Sequence, residues 1–188
     1  MIRSFIAFEI DEDVRNDCIS LIFKGKNLYG REVNWVHPDQ LHITFLFLGD
    51  IEYSDKNTVI DLLHTLSQKL PNIILKDGKL KWNPPFKPHC LWIEYLYINP
   101  EFIALRKEFM YLLKKEMPYL KLDNRDFKWH LTLGRVKVQE TKKLDISKWS
   151  LGEDDFVTTL KMKQISLYQS VLHSFGPNYT NLATFQLK

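Results

Sequence analysis

Cysteine is scarce in this sequence, and long apolar runs are missing from it. Of the 188 residues two are cysteines, Cys18 and Cys90, and they match neither a metal-ligand spacing nor a CxxC redox pair. We expect both to be buried thiols in a reducing compartment, since a chain of this length forms a core without disulfides. No segment approaches the roughly 18 consecutive apolar residues that a membrane-spanning helix needs, and the first residues lack the features of a signal peptide. The sequence therefore predicts a cytoplasmic protein that does not associate with membranes.

An excess of charge of either sign is also missing. The chain carries 26 lysine and arginine residues against 23 aspartate and glutamate residues, which leaves a formal net charge of +3. The lysines are scattered along the chain, as is typical of a solvated surface. This small positive charge is compatible with a ligand that bears phosphate, but it is too weak to identify one.

Strand and helix patterns alternate along the chain. Strands are predicted at residues 4–10, 41–49, 73–80, 91–97, 129–138, 156–162 and 164–171. Helices are predicted from residue 11 to about 26, from 55 to about 70 with Ser54 as the cap, and at 100–116. Several strand pairs are joined by short loops with no helix between them. This organisation favours an antiparallel α+β sheet over a parallel one.

Two copies of a short motif are present, His42-Ile43-Thr44 and His130-Leu131-Thr132, about half a chain apart. Because side chains alternate across a strand, each motif places its histidine and threonine together on one face. The other face of the first strand is apolar and is predicted to pack in the core, with Leu41, Ile43, Phe45 and Phe47. The spacing predicts two related lobes, each offering one strand to a shared cleft.

The paired motifs suit phosphodiester hydrolysis. That reaction needs one group to accept a proton from water and another to protonate the leaving oxygen, and two imidazoles can hold opposite protonation states near neutral pH. The threonine hydroxyls can donate to the non-bridging oxygens of the phosphate. Structural histidines are the alternative for a single motif, and a zinc site is the rival for the pair, although neither motif contains a carboxylate. His37, His64 and His173 lie outside the motifs and show no comparable pattern.

Four stretches of the sequence, in order, carry a resemblance to a known family. They are residues 3–8, residues 35–49 with the first motif, residues 130–135 with the second, and residues 167–179 near the end. With these stretches the chain resembles the RNA 2′,3′-cyclic phosphodiesterases of the LigT type, within the two-histidine phosphoesterase superfamily. The resemblance implies one two-lobed domain over residues 1–188. Its fold would be α+β, with two pseudo-symmetric lobes whose antiparallel sheets line a central cleft and whose helices lie outside.

The resemblance also implies a reaction and roles for individual residues. His42 would be the proton donor and His130 the proton acceptor, with Thr44 and Thr132 beside them, in the opening of a 2′,3′-cyclic phosphate to a 2′-phosphate. The residues expected to bind substrate are Arg135, Arg3, Tyr168 and Phe47. Neither a cofactor nor a metal is expected, the partners would be RNA ends or short oligonucleotides with a cyclic phosphate, and the protein would be a monomer. Some members also join RNA ends through a 2′-5′ linkage in reverse.

Three points stay open at the level of the sequence. Strict alternation places Arg135 on the face opposite His130, and only a bulge, which Gly134 would permit, brings it to the phosphate. Trp35, Trp129 and Tyr168 either stack on a base or pack in the core. A 2′-5′ oligonucleotide phosphodiesterase would share both motifs, and a non-catalytic RNA-binding module could share the fold.

Overall fold

The computed structural model describes residues 1–149, 156–157, 159–173 and 176–188. Within these ranges three α-helices are present: α1 Glu12–Tyr29, α2 Lys56–Ser67 and α3 Pro100–Glu116. The strands are β1 Ile2–Glu9, β2 Val33–Trp35, β3 His42–Ile51, β4 Ile73–Leu75, β5 Gly78–Asn83, β6 Cys90–Tyr95, β7 Trp129–Val136, β8 Phe156–Val157, β9 Leu160–Met162, β10 Gln164–His173 and β11 Gly176–Gln186.

Most of the described strands form one sheet. Its order is β11-β10-β1-β3-β7-β6-β5-β8, with β2 beside β7, and its neighbouring strands are antiparallel. We call β11-β10-β1-β3 the first half-sheet and β7-β6-β5-β8 the second half-sheet. They join where Ile43 of β3 lies opposite Leu131 of β7, so the two motifs occupy adjacent strands. The predicted α+β class with antiparallel pairing is confirmed, and the sheets of the two halves are continuous.

The helices begin and end for recognisable local reasons. The side chain of Asp11 accepts a hydrogen bond from the backbone amide of Val14 at 3.0 Å and so caps α1. The prediction ended α1 near Lys26, but the helix continues to Tyr29, and Gly30 follows it with a φ of 48°. The predicted cap Ser54 is wrong, because a 3₁₀ turn at Tyr53–Asp55 precedes α2. The bounds predicted for α3 are confirmed.

Three strand predictions differ from the structure. The strand predicted at 73–80 is divided into β4 and β5, and Asp77 between them has a positive φ of 55°. The strand predicted at 156–162 corresponds to β8 and β9, with residue 158 outside the described ranges. The sequence indicated only a turn at Gly176-Pro177, whereas β11 starts there and extends the sheet beyond β10.

One face of the sheet carries the core and the other carries the motifs. Ile6, Phe8, Ile43 and Leu131 are fully buried and belong to one cluster with residues of all three helices, among them Val14, Leu63 and Leu113. The histidines and threonines of the motifs project from the opposite face and are half-buried. Among the described residues no helix is both long enough and apolar enough to cross a membrane.

Candidate active site

Both motif strands contain a β-bulge at the same place. In β3, Thr44 pairs with Ala7 and Leu46 pairs with Ile6, so Phe45 is an extra residue. In β7, Thr132 pairs with Trp92 and Gly134 pairs with Leu91, so Leu133 is extra. An extra residue moves the side chains after it to the other face, up to the next register shift, which in β3 comes after Phe47. Each strand therefore brings a third side chain, five positions after its histidine, to the histidine face.

In β3 this third side chain is Phe47. The sequence placed Phe47 in the core, and that prediction is wrong, because the bulge at Phe45 turns it to the other face. Its side chain is 56% exposed. Its ring lies 6.0 Å from that of Phe5, whose ring is 5.0 Å from the imidazole of His42. Phe47 thus borders the site instead of the core.

In β7 the third side chain is Arg135. The bulge that its predicted role required is present, and Gly134 accommodates the close approach of β2, since a Cβ there would lie 2.6 Å from Val33 Cγ1. Arg135 is exposed, and its positive charge helps to lower the pKa of both His42 and His130. The guanidinium therefore belongs to the same electrostatic environment as the two imidazoles.

The two imidazoles are held in the same way. Nδ1 of His42 lies 2.6 Å from the backbone oxygen of Gln40, and Nδ1 of His130 lies 2.8 Å from that of Lys128. A carbonyl oxygen can only accept, so in each ring Nδ1 donates and Nε2 remains for chemistry. In His42 that Nε2 accepts from the Thr44 hydroxyl at 3.1 Å.

The protein alone disfavours a positive charge on either histidine. Burial lowers the pKa of His42 to about 4, with further lowering by Arg135 and His130 and an opposing effect of the bond to Gln40. Burial also lowers the pKa of His130, together with Arg135, whereas the Lys128 carbonyl and the Glu94 carboxylate oppose it. Both imidazoles are therefore neutral at neutral pH, and an anion beside them would favour protonation.

Aromatic and neutral side chains surround His42. Its ring meets that of Tyr179 nearly edge-on at 5.6 Å, and Phe5 stacks on Tyr168 at 5.3 Å. Glu9 lies opposite His42 in β1, but its carboxylate accepts from the Tyr168 hydroxyl at 3.1 Å and from the Ser166 hydroxyl at 2.7 Å. Burial, followed by the Glu9 charge, raises the pKa of Tyr168 to about 12, so that hydroxyl stays protonated.

Charged groups and one indole surround His130. The ring of Trp92 lies 4.5 Å from the imidazole, tilted by 46°. Glu94 lies opposite His130 in β6 and forms an ion pair with Lys81 of β5. Both histidines thus have a carboxylate on a neighbouring strand, which the motifs alone did not reveal. Each carboxylate is bound to other side chains.

The register relates the two half-sheets position by position. Glu9 and Glu94 lie opposite the histidines, Ala7 and Trp92 lie opposite the threonines, and Phe5 and Cys90 lie opposite Phe47 and Arg135, respectively. The backbone arrangement around the site is therefore pseudo-symmetric, while most of the paired side chains differ.

The remaining predicted residues lie farther from the histidines. Arg3 is exposed at the start of β1, opposite Asp50. Trp129 is buried and packs against Phe102 at 4.5 Å, so it belongs to the core. Trp35 packs over Gly25 and Gly134. Among the described residues, no group of three or more histidine, cysteine, aspartate or glutamate side chains is arranged to hold a metal ion.

Sequence reasoning missed several residues of the site. They are Phe5 and Glu9 on β1, Trp92 and Glu94 on β6, and Tyr179 on β11. The only signal in the sequence is the alternation of β1, which puts Phe5 and Glu9 on one face. The pairing of β1 with β3 and of β6 with β7 brings the first four to the histidines, whereas Tyr179 reaches His42 from β11, two strands beyond β1.

Fold and site together define the class of the protein. It is a two-histidine α+β protein in which each half of an antiparallel sheet presents a His-x-Thr strand on the face opposite the core. Residues 13–92 match the family model described as LigT like phosphoesterase. The chain is 29% identical over 188 residues to an RNA 2′,3′-cyclic phosphodiesterase of Archaeoglobus fulgidus, covering 98% of this chain and 99% of the relative.

Solved structures agree with this assignment at the level of the fold. A crystal structure of a Thermus thermophilus protein superposes with a TM-score of 0.81 at 22% identity, covering 99% of this chain and 98% of that one. E. coli LigT complexed with 3′-AMP superposes with a TM-score of 0.75 at 21% identity, with coverage of 99% and 98%. The predicted resemblance is confirmed as a similarity: residues 13–92 match the LigT like phosphoesterase model, and the similarity to the Archaeoglobus fulgidus protein covers 98% of the chain.

Proposed function

We propose that this protein is an RNA 2′,3′-cyclic phosphodiesterase that opens cyclic phosphate ends to 2′-phosphates with His42 and His130 as an acid–base pair. One observation carries the proposal. Two imidazoles on adjacent strands have Nδ1 bound to a backbone carbonyl and Nε2 directed to chemistry, each beside a threonine hydroxyl. The relative from Archaeoglobus fulgidus, similar over its full length, bears the name of that activity.

The proposed reaction transfers two protons and exchanges one bond at phosphorus. Nε2 of His130 takes a proton from water as the water oxygen bonds to phosphorus. The bond from phosphorus to the 3′ oxygen breaks, and that oxygen takes a proton from Nε2 of His42. The hydroxyls of Thr44 and Thr132 donate to the non-bridging oxygens, and Arg135 opposes their negative charge. The product is a 2′-phosphate beside a free 3′-hydroxyl.

The acid must be protonated before the reaction, although the protein alone holds both imidazoles neutral. The cyclic phosphate is an anion, and its charge beside partly buried imidazoles raises their pKa. The charge of one imidazole disfavours the charge of the other, so the pair holds one proton at a time. The resemblance assigns that proton to His42. Glu94 beside His130 favours the opposite order, so the two assignments must be separated by experiment.

The aromatic side chains of the first half-sheet are proposed to bind the nucleoside. Phe47 is exposed beside Phe5, which stacks on Tyr168, and aromatic faces bind bases of any kind. Arg3, at the start of the same strand as Phe5, would meet a phosphate farther along an oligonucleotide. E. coli LigT, which shares the fold, has a crystal structure in complex with 3′-AMP, a nucleotide that combines a base with a phosphate on the ribose.

Two further statements belong to the proposal. The protein acts as a monomer, because one chain supplies both histidines and both threonines. The same groups would catalyse ligation if a 5′-hydroxyl took the place of water: its oxygen would bond to phosphorus and give its proton to the base as the bond to the protonated 3′ oxygen breaks, which joins RNA ends through a 2′-5′ linkage.

Incubation with nucleoside 2′,3′-cyclic phosphates tests the proposal. We expect release of the 2′-phosphate, unaffected by EDTA, and no product from a His42→Ala, His130→Ala double variant. A parallel reaction with a 2′-5′-linked dinucleotide tests the alternative activity, since preferential cleavage of that substrate would favour a 2′-5′ phosphodiesterase. Release of the 3′-phosphate would refute the proposed bond cleavage. Loss of activity in EDTA with recovery in zinc or manganese would refute the acid–base pair.

A further inference from the structure

Trp92 distinguishes the surroundings of the two histidines. It lies on β6 opposite Thr132, and its ring centroid is 4.5 Å from that of His130. The corresponding position of the first half-sheet, opposite Thr44, is Ala7, which has no ring. An indole therefore packs against one histidine at a position where the other half-sheet has a methyl group.

The indole has a cost for folding. Its Nε1–H is buried and has no hydrogen-bond partner among the described residues, and the same holds for Trp82 Nε1 and the Tyr95 hydroxyl. Trp82 and Tyr95 are buried core residues, whereas Trp92 is half-buried on the histidine face. A buried donor without an acceptor destabilises the folded state, and a phenyl ring at this position would avoid that loss. What distinguishes Trp92 from Trp82 is its place on the histidine face, where its ring packs against the imidazole of His130.

The charges around His130 leave a role for that ring. The titratable and charged groups that face it are, by element, His42 on β3, Lys128 just before β7, Arg135 on β7, Glu94 on β6, and Lys81 on β5 through its ion pair with Glu94. Lys128 and Arg135 oppose a positive charge on His130, and the favourable charge of Glu94 is partly offset by its ion pair with Lys81. The face of an indole, within about 6 Å of a cation, attracts it and is the strongest aromatic partner of this kind.

We propose that Trp92 is a positioning residue that stabilises the positive charge His130 acquires when it takes a proton from water. The proposal rests on the proposed function for the origin of that proton. The interaction with the imidazolium itself is a property of the folded protein and can be measured without any substrate.

Two substitutions of Trp92 distinguish the effect of its aromatic face from the effect of its apolar bulk. Trp92→Phe keeps an aromatic face and removes the unpartnered N–H, whereas Trp92→Leu keeps apolar bulk and removes the face. NMR titration of the imidazole signals should show the pKa of His130 falling by roughly 0.5 in Trp92→Leu and by clearly less in Trp92→Phe. The kcat on a cyclic phosphate should fall about 2- to 30-fold in Trp92→Leu and be largely retained in Trp92→Phe.

The controls make each outcome decisive. Tyr179→Leu removes the ring beside His42 and should leave the pKa of His130 in place. Thermal unfolding should show Trp92→Phe to be at least as stable as the natural protein, because the unpartnered donor is gone. An unchanged or raised pKa of His130 in Trp92→Leu would overturn the proposal, since the indole would then only exclude water. Equal effects of the two substitutions would overturn it as well. Lack of activity on cyclic phosphates would refute the proposed function and leave the titration to decide this inference.

Discussion

The two half-sheets share a backbone arrangement and differ in the side chains placed on it. Each has a His-x-Thr strand, a bulge after the threonine, and a glutamate opposite the histidine on the next strand. Beyond these shared groups the first half-sheet is aromatic near its histidine, with Phe5, Phe47, Tyr168 and Tyr179. The second is charged, with Arg135 and the Glu94–Lys81 ion pair.

This difference indicates where reactivity and direction originate. The histidines and threonines shared by both halves are the groups that an acid–base pair needs, and they lie within one residue of the junction at Ile43 and Leu131. The groups that differ lie one step outward, where a nucleoside on one side and phosphate charge on the other would be recognised. We therefore expect the side chains around the two motifs, and not the motifs themselves, to determine which way a substrate binds.

Removing either histidine should have the largest effect on the reaction rate. His42→Ala and His130→Ala should each lower the rate by on the order of 10²–10⁴, and the double variant should lose much less than the product. If the halves act as donor and acceptor, a substrate with a much better leaving group should rescue His42→Ala and leave His130→Ala impaired. Stopped assays with matched substrates measure both effects.

The opposite rescue would exchange the roles of the two halves, as the position of Glu94 favours. Small additive losses in both variants, with a rate independent of pH, would mean that the histidines are structural.

The threonines should rank next. Each hydroxyl supplies one hydrogen bond to a charged group, worth about 1.5–3 kcal/mol, so Thr44→Val and Thr132→Val should each slow kcat about 10- to 150-fold. The two losses should be unequal, because only the Thr44 hydroxyl also binds a catalytic nitrogen, at 3.1 Å. Thermal unfolding of both variants is the control for the fold. Wild-type rates in both would contradict the assigned geometry.

Replacing Arg135 should move the pH profile. Its charge lowers the pKa of both His42 and His130, so Arg135→Met raises both pKa values. In a plot of kcat/KM against pH, one limb reports deprotonation of the base and the other reports protonation of the acid. Both limbs should then shift to higher pH. KM should rise about tenfold with the loss of one charged contact.

Arg3→Met is the matched control for charge. Arg3 is exposed at the start of β1, so its removal should leave both limbs of the profile in place. An unmoved profile in Arg135→Met would show that the second half-sheet does not set the charge of the histidines.

Phe47 should have the smallest effect, confined to binding. Stacking on one base contributes about 1 kcal/mol at the lower end, so Phe47→Leu should raise KM for a nucleoside cyclic phosphate about fivefold with little change in kcat. On ribose 2′,3′-cyclic phosphate, which has no base, Phe47→Leu should have the same KM as the natural protein. Equal losses on both substrates would mean that Phe47 supports the site without contacting the base.

The sequence was sufficient for the centre of the site and insufficient for its border. A two-residue period predicts that His42 and Thr44 share a face, and the structure agrees because the bulge comes only after the threonine. Phe47 was assigned to the wrong face because Phe45 adds one residue to β3. That addition is fixed by the pairing of β3 with β1, and nothing in the strand's own sequence marks it.

The flanking residues were missed for a related reason. Trp92 and Glu94 lie on a strand that precedes the second motif by a whole helix, and only the antiparallel pairing of β6 with β7 brings them to His130. The division of the predicted strand 73–80 at Asp77 likewise depends on tertiary contacts, because β4 pairs with β9 while β5 pairs with β6.

The near-equivalence of the two motif strands affects which ligands can report on this protein. Inorganic phosphate has no end that differs from the other, so a phosphate bound beside the two motif strands, which meet at Ile43 and Leu131, would not show which half faces the nucleoside. A structure of that complex would therefore leave the direction of the reaction undetermined. A nucleotide has a base at one end only, and the contrast between Phe47 and Arg135 would select a single pose for it.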